Sequence, residues 1–324
     1  MAEEKLAALE GADAALCFSS GMAAVTASIF SVVKAGDHII VVRNAYSPTQ
    51  QLLSEYLRKF GITTTFVDGK EPAEFSEAVT DKTTVIYLES PTTFLFDMQD
   101  LKAIARIAEQ HNIVSIIDNS WATPLYQRPL EYGIDLVLHS ASKYLGGHSD
   151  IVAGVVAGCQ ERIEKIRHTE RALLGASMDP HQAWLLIRVL RTLPVRLEQH
   201  RRSACEIAGY LEQHAKVKTV NYPALTSCPQ YELAQSQMDG ESSLFSFVLD
   251  TSGEKAVQFI QDLRIFATGP SWGGYESLAI IPAQRTQPEF LDRMGVPFNL
   301  VRVHIGLEDT TLLLEDLESA LGKV

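Results

Sequence analysis

The sequence predicts an α/β protein with a mostly parallel sheet in a large N-terminal domain and a smaller α+β domain at the C-terminus. Two observations carry this prediction. Short apolar runs alternate with helical patterns through residues 14–193, which is typical of repeated βα units packed with helices on both faces. From about residue 195 a long connector helix leads into short β-rich runs that alternate with helices. We therefore expect an α/β domain over residues 1–190 and an α+β domain over residues 191–324.

The composition excludes several classes of partner. The 324 residues, 46% hydrophobic and 21% charged, are enough for a globular protein with a substantial core. A net charge of −12 argues against nucleic acid and against anionic membranes. The four cysteines are scattered without a C-x-x-C pair, so we predict no metal site and expect free thiols in a reducing cytoplasm. No signal peptide and no membrane-spanning run is recognised, so we expect no membrane partner.

Residues 3–9 have a helical pattern that ends at Gly11 but has no capping residue before it. A chain that opens within a helix suggests that an upstream segment is missing. The first strand, residues 14–18, is followed by small residues and a helix that extends to about residue 34. A strand, a small-residue turn and a helix N-terminus together predict an anion site. The alternative is a tight turn with a serine N-cap.

The next predicted strand, residues 38–42, places Tyr46 at its carboxyl edge, before a helix over residues 49–60. An aromatic ring there can stack on a planar cofactor, or simply pack. Strands over residues 63–67 and 84–88 and an amphipathic helix over 100–111 follow. The buried strand 113–117 ends on Asp118, whose carboxylate is costly to bury without a partner. A pyridinium N–H is a suitable partner, and the alternative is an Asp-Asn turn.

Lys143 follows an apolar run, residues 134–138, at the sheet edge where open α/β proteins bind their ligands. Ser140 and Ser142 flank it and two glycines follow. This combination suits a Schiff base to an aldehyde cofactor whose phosphate the hydroxyls hold. A solvated lysine is the alternative. Lys143 follows Asp118 by 25 residues, one strand–helix–strand step, so we expect both on adjacent strand ends.

The large domain is predicted to continue with a strand over residues 152–157 and helices over 160–174 and 181–193. In the C-terminal domain we expect a connector helix over 195–214, strands over 217–222, 244–249 and 300–305, and helices over 253–263 and 309–321. Two features stand out there. Residues 271–277 form a glycine-rich loop with Ser271 and Trp272. Arg302 lies in an apolar strand and needs an anionic partner, either a substrate carboxylate or an internal salt bridge.

The order of these motifs resembles the Cys/Met-metabolism family of pyridoxal-phosphate (PLP) enzymes over essentially the whole chain. The matching residues are Ser19-Ser20-Gly21-Met22-Ala23-Ala24, Tyr46, Asp118-Asn119, Ser140-Ala141-Ser142-Lys143-Tyr144-Leu145-Gly146-Gly147-His148-Ser149-Asp150, Ser271 and Arg302. The resemblance implies PLP fold type I with a seven-stranded-type sheet, pyridoxal 5'-phosphate as cofactor and a cytoplasmic location. It also implies a homotetramer, a dimer of dimers, in which a neighbouring subunit completes each active site.

The resemblance also implies roles. Lys143 would form the Schiff base and transfer protons, with Tyr46 stacking on the ring and sharing in proton transfer. Asp118 would pair with the pyridine nitrogen, and Arg302 would hold the substrate carboxylate. The phosphate would be bound by the N–H groups of Gly21 and Met22 and the hydroxyls of Ser140 and Ser142, and the substrate also by Ser271 and Trp272.

Within the family, three features are similar to bacterial cystathionine β-lyases: a tyrosine loop at residues 44–49, the tryptophan loop at 271–277, and the strand and turn at residues 301–309. Thr93 also stands where most of the family has asparagine. We therefore expect β-elimination of L-cystathionine, or of L-cysteine S-conjugates, to a thiol such as homocysteine plus pyruvate and ammonia, in methionine biosynthesis.

Two alternatives stay open. One is γ-elimination or γ-replacement, as in a methionine γ-lyase or a cystathionine γ-synthase. The other is a truncated PLP-binding protein without turnover, because family members carry an N-terminal arm that reaches a neighbouring subunit, and this chain begins after it.

Overall fold

The computed structural model describes residues 1–324, and a seven-stranded sheet forms the centre of the N-terminal part. Its strands lie in the order β1-β7-β6-β5-β4-β2-β3, and only β7 runs antiparallel to its neighbours. The mostly parallel sheet predicted from the sequence is confirmed. The strands are β1 (Ala14–Phe18), β2 (His38–Val42), β3 (Thr63–Val67), β4 (Thr83–Glu89), β5 (Val114–Asp118), β6 (Leu136–Ser140) and β7 (Gly154–Gly158).

Helices cover both faces of this sheet, because neighbouring residues of its strands face opposite sides. In β1, for example, Leu16 and Phe18 belong to the core that contains the helix residues Val25 and Ile163, whereas Ala15 and Cys17 belong to the core that contains Leu6 and Leu186. The helices are α1 (Ala2–Glu10), α2 (Gly21–Phe30), α3 (Ser47–Gln51), α4 (Pro72–Ala78), α5 (Leu101–Gln110), α6 (Thr123–Tyr126), α7 (Gln160–Ile166), α8 (Ala172–Leu174), α9 (Pro180–Leu190) and α10 (Leu193–Glu212).

A second sheet of five strands, in the order β10-β11-β12-β9-β8, lies in the C-terminal part. Every neighbouring pair in it is antiparallel except β10 and β11. Its elements are β8 (Val217–Asn221), α11 (Tyr231–Gln237), β9 (Leu244–Leu249), α12 (Gly253–Asp262), β10 (Ala267–Thr268), β11 (Leu278–Ile280), α13 (Pro288–Met294), β12 (Leu300–His304) and α14 (Thr310–Leu321).

Helix α10 joins the two parts. Leu193 and Leu197 pack with the large domain, whereas Ile207 and Leu211 pack in the core of the second sheet. A division at residue 190 remains a prediction, and the packing of α10 against both cores is compatible with it. No helix is both long and apolar enough to cross a membrane.

Several elements differ from the sequence-based expectation, among them the helix expected over residues 160–174, which consists of α7, a π-helical turn, Arg167–Arg171, and α8. The helix expected over residues 49–60 is irregular, because α3 continues through a π-helical turn, Leu52–Tyr56, and a 3-10 turn, Leu57–Phe60. The strand expected to end at residue 138 extends to Ser140, which places Lys143 in the turn that follows β6. Helix α2 ends at Phe30 rather than near residue 34.

A buried acid–histidine pair joins α1 to the sheet. Glu10, the last residue of α1, and His139 of β6 are each 1% exposed, and Glu10 Oε1 is hydrogen-bonded to His139 Nε2. The second oxygen of Glu10, Oε2, and the second ring nitrogen of His139, Nδ1, have no hydrogen-bond partner. Because burying a carboxylate without a partner costs free energy, the hydrogen bond between the two side chains offsets the cost of burying them.

We expect His139→Leu to lower the free energy of unfolding by about 3 kcal/mol, because it leaves the Glu10 carboxylate buried without a partner. The urea-unfolding midpoint, followed by circular dichroism, measures this loss. Glu161→Gln, an exposed position on α7, is the control and should change stability by less than about 0.5 kcal/mol. Equal stability of the two variants would contradict the prediction.

Candidate active site

A cavity of about 470 Å³ lies at the carboxyl ends of β4, β5 and β6 and is closed on one side by the second sheet. This is the edge at which parallel α/β sheets bind ligands. All ten residues singled out from the sequence line the cavity. They are Gly21, Met22, Tyr46, Asp118, Ser140, Ser142, Lys143, Ser271, Trp272 and Arg302.

The N-terminus of α2 forms one wall. Ser20 caps the helix by accepting a hydrogen bond from the Ala23 N–H at 3.1 Å, so the N–H groups of Gly21 and Met22 are left for another acceptor. A Cβ atom at Gly21 would lie 2.9 Å from Cβ and Oγ of Ser140, so only glycine allows the helix to approach β6 this closely. This wall can bind an anion such as a phosphate.

The two serines that flank Lys143 differ in their surroundings. The Ser140 N–H donates to Ser120 Oγ at 2.6 Å, and its own hydroxyl faces Gly21. The Ser142 hydroxyl instead exchanges hydrogen bonds with the backbone of Ala153, at 3.0 and 3.3 Å. Ser142 would have to turn its proton away from the Ala153 carbonyl to donate to a phosphate, whereas Ser140 would not.

Two carboxylates lie side by side at the strand ends. Asp118 and Glu89 are direct neighbours across β5 and β4. Burial raises the pKa of both side chains, and the Asp118 charge raises that of Glu89 further. Glu89 accepts the Tyr46 N–H at 2.7 Å, and Asp118 accepts the Ser120 N–H at 2.9 Å. Asp118 forms no salt bridge, so it can pair with a cationic N–H group of a ligand.

Lys143 directs its amine into the same cavity. Its Nζ donates to Ser271 Oγ at 3.1 Å and lies 5.1 Å from the centre of the Trp272 ring. Burial, followed by the charge of Arg302, lowers the pKa of Lys143 to about 8, although the Asp118 charge acts in the opposite direction. A lysine that is partly neutral near physiological pH is a suitable nucleophile and proton carrier.

The 271–277 loop reaches Lys143 through a glycine. Gly273 has φ +84°, and a Cβ atom there would lie 2.6 Å from the Tyr144 nitrogen. Both the backbone conformation and this close approach therefore require glycine. Through this loop the C-terminal part of the chain contacts Lys143.

Arg302 is buried in the centre of the second sheet and forms no salt bridge within the chain. Its guanidinium donates to the Pro270 carbonyl at 2.5 Å and lies 5.4 Å from the Phe94 ring centre. Burial lowers the pKa of Arg302 to about 10, whereas Tyr46 and Glu89 act in the opposite direction. The remaining N–H groups of this cation can hold a ligand carboxylate in the cavity.

Tyr46 lines the cavity at the start of α3, and its ring is 48% exposed. Burial raises the pKa of its hydroxyl, as do the charges of Glu89 and Asp118. The phenol therefore stays protonated near neutral pH and can donate a proton, but it is a poor base.

Sequence reasoning missed Glu89 and Phe94. Glu89 ends an apolar strand just as Asp118 does, so its position could have been noticed. Phe94 has φ +66°, which is rare for a residue with a side chain and holds its ring against Arg302. No sequence pattern indicates that conformation.

These residues fit PLP. The cavity joins an anion-binding helix N-terminus, a carboxylate without a cationic partner and a lysine amine of lowered pKa, and these three groups match a phosphate, a pyridinium nitrogen and an aldehyde. Together with the mostly parallel α/β sheet they define a PLP-dependent enzyme of fold type I.

Comparisons with known proteins identify the family. The model of the Cys/Met metabolism PLP-dependent enzymes matches residues 1–322. L-methionine gamma-lyase of Pseudomonas deceptionensis is 41% identical over 325 residues, which cover 98% of this chain and 82% of that protein. Cystathionine gamma-lyase of Bacillus subtilis is 37% identical over 320 residues, 98% of this chain and 84% of that protein.

The crystal structure of metB from Corynebacterium glutamicum superposes with a TM-score of 0.96 at 36% identity, over 99% of this chain and 84% of that one. The chain belongs to the Cys/Met metabolism PLP-dependent enzymes. The family, the fold and the cofactor expected from the sequence are confirmed.

We expect the cofactor-free protein to react at Lys143 with an amine-specific acylating reagent at a rate that is half-maximal near pH 8, because the lowered pKa yields neutral amine above that pH. Asp118→Asn should move this midpoint to lower pH, because it removes a charge that favours the protonated amine. Peptide mapping across pH measures the rate, and Lys143→Arg is the control. A rate that rises only above about pH 10 would contradict the prediction.

Proposed function

We propose that this protein is a PLP-dependent C–S lyase that eliminates a thiol from a sulfur-containing L-amino acid. The observation that carries the proposal is the joint position of Lys143 and Arg302 in one cavity with Asp118. Such a site can hold an amino acid by its carboxylate while a lysine moves protons at the neighbouring carbon.

Bound PLP would supply a pyridinium ring that withdraws electrons from the substrate's Cα. The chain's own residues would bind the cofactor, orient the substrate and transfer protons. Asp118 would keep the ring nitrogen protonated, and α2 with Ser140 would hold the phosphate. Arg302 would orient the carboxylate with help from Ser271. Lys143 would remove the proton from Cα and deliver it to another atom of the substrate.

Among the reactions of such a site, γ-elimination is our first candidate. The relatives from Pseudomonas deceptionensis and Bacillus subtilis are named γ-lyases, and neither is named a β-lyase. They therefore favour the γ alternative over the β-elimination expected from the sequence. γ-Replacement is a related reaction in which a second thiol or amino acid takes the place of the leaving group. One relative, from Arabidopsis thaliana, is named a cystathionine gamma-synthase.

β-Elimination of L-cystathionine stays the second candidate because of one observation. The Trp272 ring, in the loop that led us to expect a β-lyase, packs beside Lys143 at 5.1 Å from its amine. An aromatic ring at that point narrows the space in which a substrate's sulfur can lie.

We further propose a homotetramer in the cytoplasm. Leu173, Leu174, Trp184 and Val195 are all more than half exposed, and burial against other subunits would remove this apolar surface from water.

The decisive experiment is to incubate the PLP-loaded protein with L-cystathionine, and separately with L-methionine, and to identify the keto acid. We expect 2-oxobutyrate, because γ-elimination leaves a four-carbon skeleton, whereas pyruvate would establish β-elimination. Lys143→Ala should lower the rate at least about 10³-fold, because it removes the proton carrier. The absence of any keto acid with either substrate would overturn the lyase proposal.

Arg302→Met should raise KM about 10- to 100-fold with a smaller change in kcat, because a charge-assisted hydrogen bond to the substrate carboxylate is worth about 1.5–3 kcal/mol. The KM of Arg302→Lys should lie between that of the parent protein and that of Arg302→Met. The exposed Arg106→Gln, on α5, is the matched control and should leave both constants unchanged. An unchanged KM in Arg302→Met would remove the arginine from carboxylate binding.

A further inference from the structure

A buried polar cluster lies directly behind Lys143 and has no part in the function proposed above. It consists of Tyr144, His200, Ser243 and His304, and each of these side chains is at most 1% exposed. The Tyr144 ring packs edge to face against His200 and His304, with centres 5.4 and 5.8 Å apart, and the two histidine rings are tilted against each other at 5.3 Å. Four buried polar side chains in one place are costly unless they are hydrogen-bonded, and all of their polar atoms except His200 Nε2 have partners.

Ser243 is the centre of the cluster. Its Oγ lies 3.2 Å from Tyr144 Oη, 3.2 Å from His200 Nδ1 and 3.1 Å from His304 Nδ1. His200 Nδ1 also lies 2.8 Å from the Ile305 carbonyl, which only accepts, so this nitrogen carries the hydrogen. The cluster thus ties the turn after β6 to α10 and to the end of β12.

His304 extends the cluster to the 271–277 loop. Its Nε2 lies 3.1 Å from the Gly273 nitrogen and 3.0 Å from the Gly274 oxygen. Burial and the neighbouring His200 keep the pKa of His304 well below its usual range, so the ring is neutral. In one neutral tautomer Nε2 accepts from the Gly273 N–H, and in the other it donates to the Gly274 carbonyl. Both tautomers therefore bind the loop.

The same loop carries the two groups that contact the catalytic amine. Ser271 Oγ accepts from Lys143 Nζ at 3.1 Å, and the Trp272 ring lies 5.1 Å from Nζ. Trp272 in turn packs on Tyr144, with ring centres 5.6 Å apart. A displacement at residues 273–274 would move both groups away from Nζ, because Trp272 directly precedes Gly273 and Ser271 lies two positions before it.

His304 shares its strand face with Arg302. Alternate residues of a strand face the same side, and Val301 and Val303 occupy the other side, in the core of the C-terminal domain. One short strand therefore presents the group that would hold the substrate carboxylate and, two residues later, the group that holds the loop over the lysine.

We propose that His304 is a positioning residue that fixes the 271–277 loop, and through it Ser271 and Trp272, against Lys143. The proposal rests on Lys143 being the proton carrier of the proposed lyase. His304 does not contact the substrate. It sets the separation between the carboxylate-binding arginine and the groups that surround the lysine amine.

The test compares His304→Leu, which removes both ring nitrogens, with His304→Gln, whose amide can bond at the position of Nε2. His111→Gln, an exposed histidine after α5, is the control. Hydrogen exchange of residues 270–276 is measured in the cofactor-free protein, and kcat and KM for keto-acid release are measured in the loaded enzyme.

In His304→Leu we expect exchange at residues 270–276 to become about five- to tenfold faster, with β5 and β6 unchanged. We expect kcat to fall about 10- to 100-fold, because a small misplacement of groups around the proton carrier is enough for this. KM should change less than kcat. His304→Gln should restore kcat to within about fivefold of the parent.

Unchanged exchange at residues 270–276 in His304→Leu would overturn the proposal whatever the activity. If that variant does not fold, Ser243→Ala takes its place, since it removes the partner of His304 Nδ1 and leaves the imidazole itself intact, and it must loosen the same residues. If the parent protein releases no keto acid, the lyase proposal fails, while the exchange measurement still decides whether His304 holds the loop.

Discussion

The structure depends on burying charged groups of both signs around one cavity without pairing them directly. Burial raises the pKa of Asp118 and lowers that of Lys143 and Arg302, so each group is held in an environment that disfavours its charge. None of the three forms a salt bridge within the chain. Such an arrangement costs stability, and it is retained where a ligand supplies the missing charges. A phosphorylated pyridinium aldehyde and an amino acid carboxylate supply charges of the required signs.

Each domain contributes what the other lacks. The parallel strands place Asp118 and Lys143 at their carboxyl ends, and the second sheet supplies Arg302 from the middle of β12. The 271–277 loop then crosses to the lysine, where Gly273 allows the two backbones to meet. The cavity therefore lies between the two sheets, and their relative position decides the distance between Lys143 and Arg302.

The sequence predicted much of this because strand ends can be recognised locally. Buried runs that stop at Asp118, or shortly before Lys143, indicate residues at the ligand-binding edge, and the structure brings them into one cavity. Their roles remain predictions. What could not be predicted depends on long-range pairing or on rare backbone conformations. Glu89 becomes important only through its register with Asp118, and Phe94 only through its positive φ. His304 contacts a loop that lies thirty residues earlier in the chain.

For the proposed lyase, the choice between cleavage at Cβ and at Cγ can be argued from the same site residues. Removal of a Cγ substituent needs protons moved at two successive carbons, whereas removal of a Cβ substituent needs one. Tyr46 is a poor base, and Asp118 and Glu89 accept backbone hydrogen bonds at the strand ends, so under the proposed function Lys143 would be the proton carrier for both reactions. Its long flexible side chain can reach either carbon. Selectivity must therefore come from where Arg302, Ser271 and Trp272 place the sulfur atom, and not from a different base.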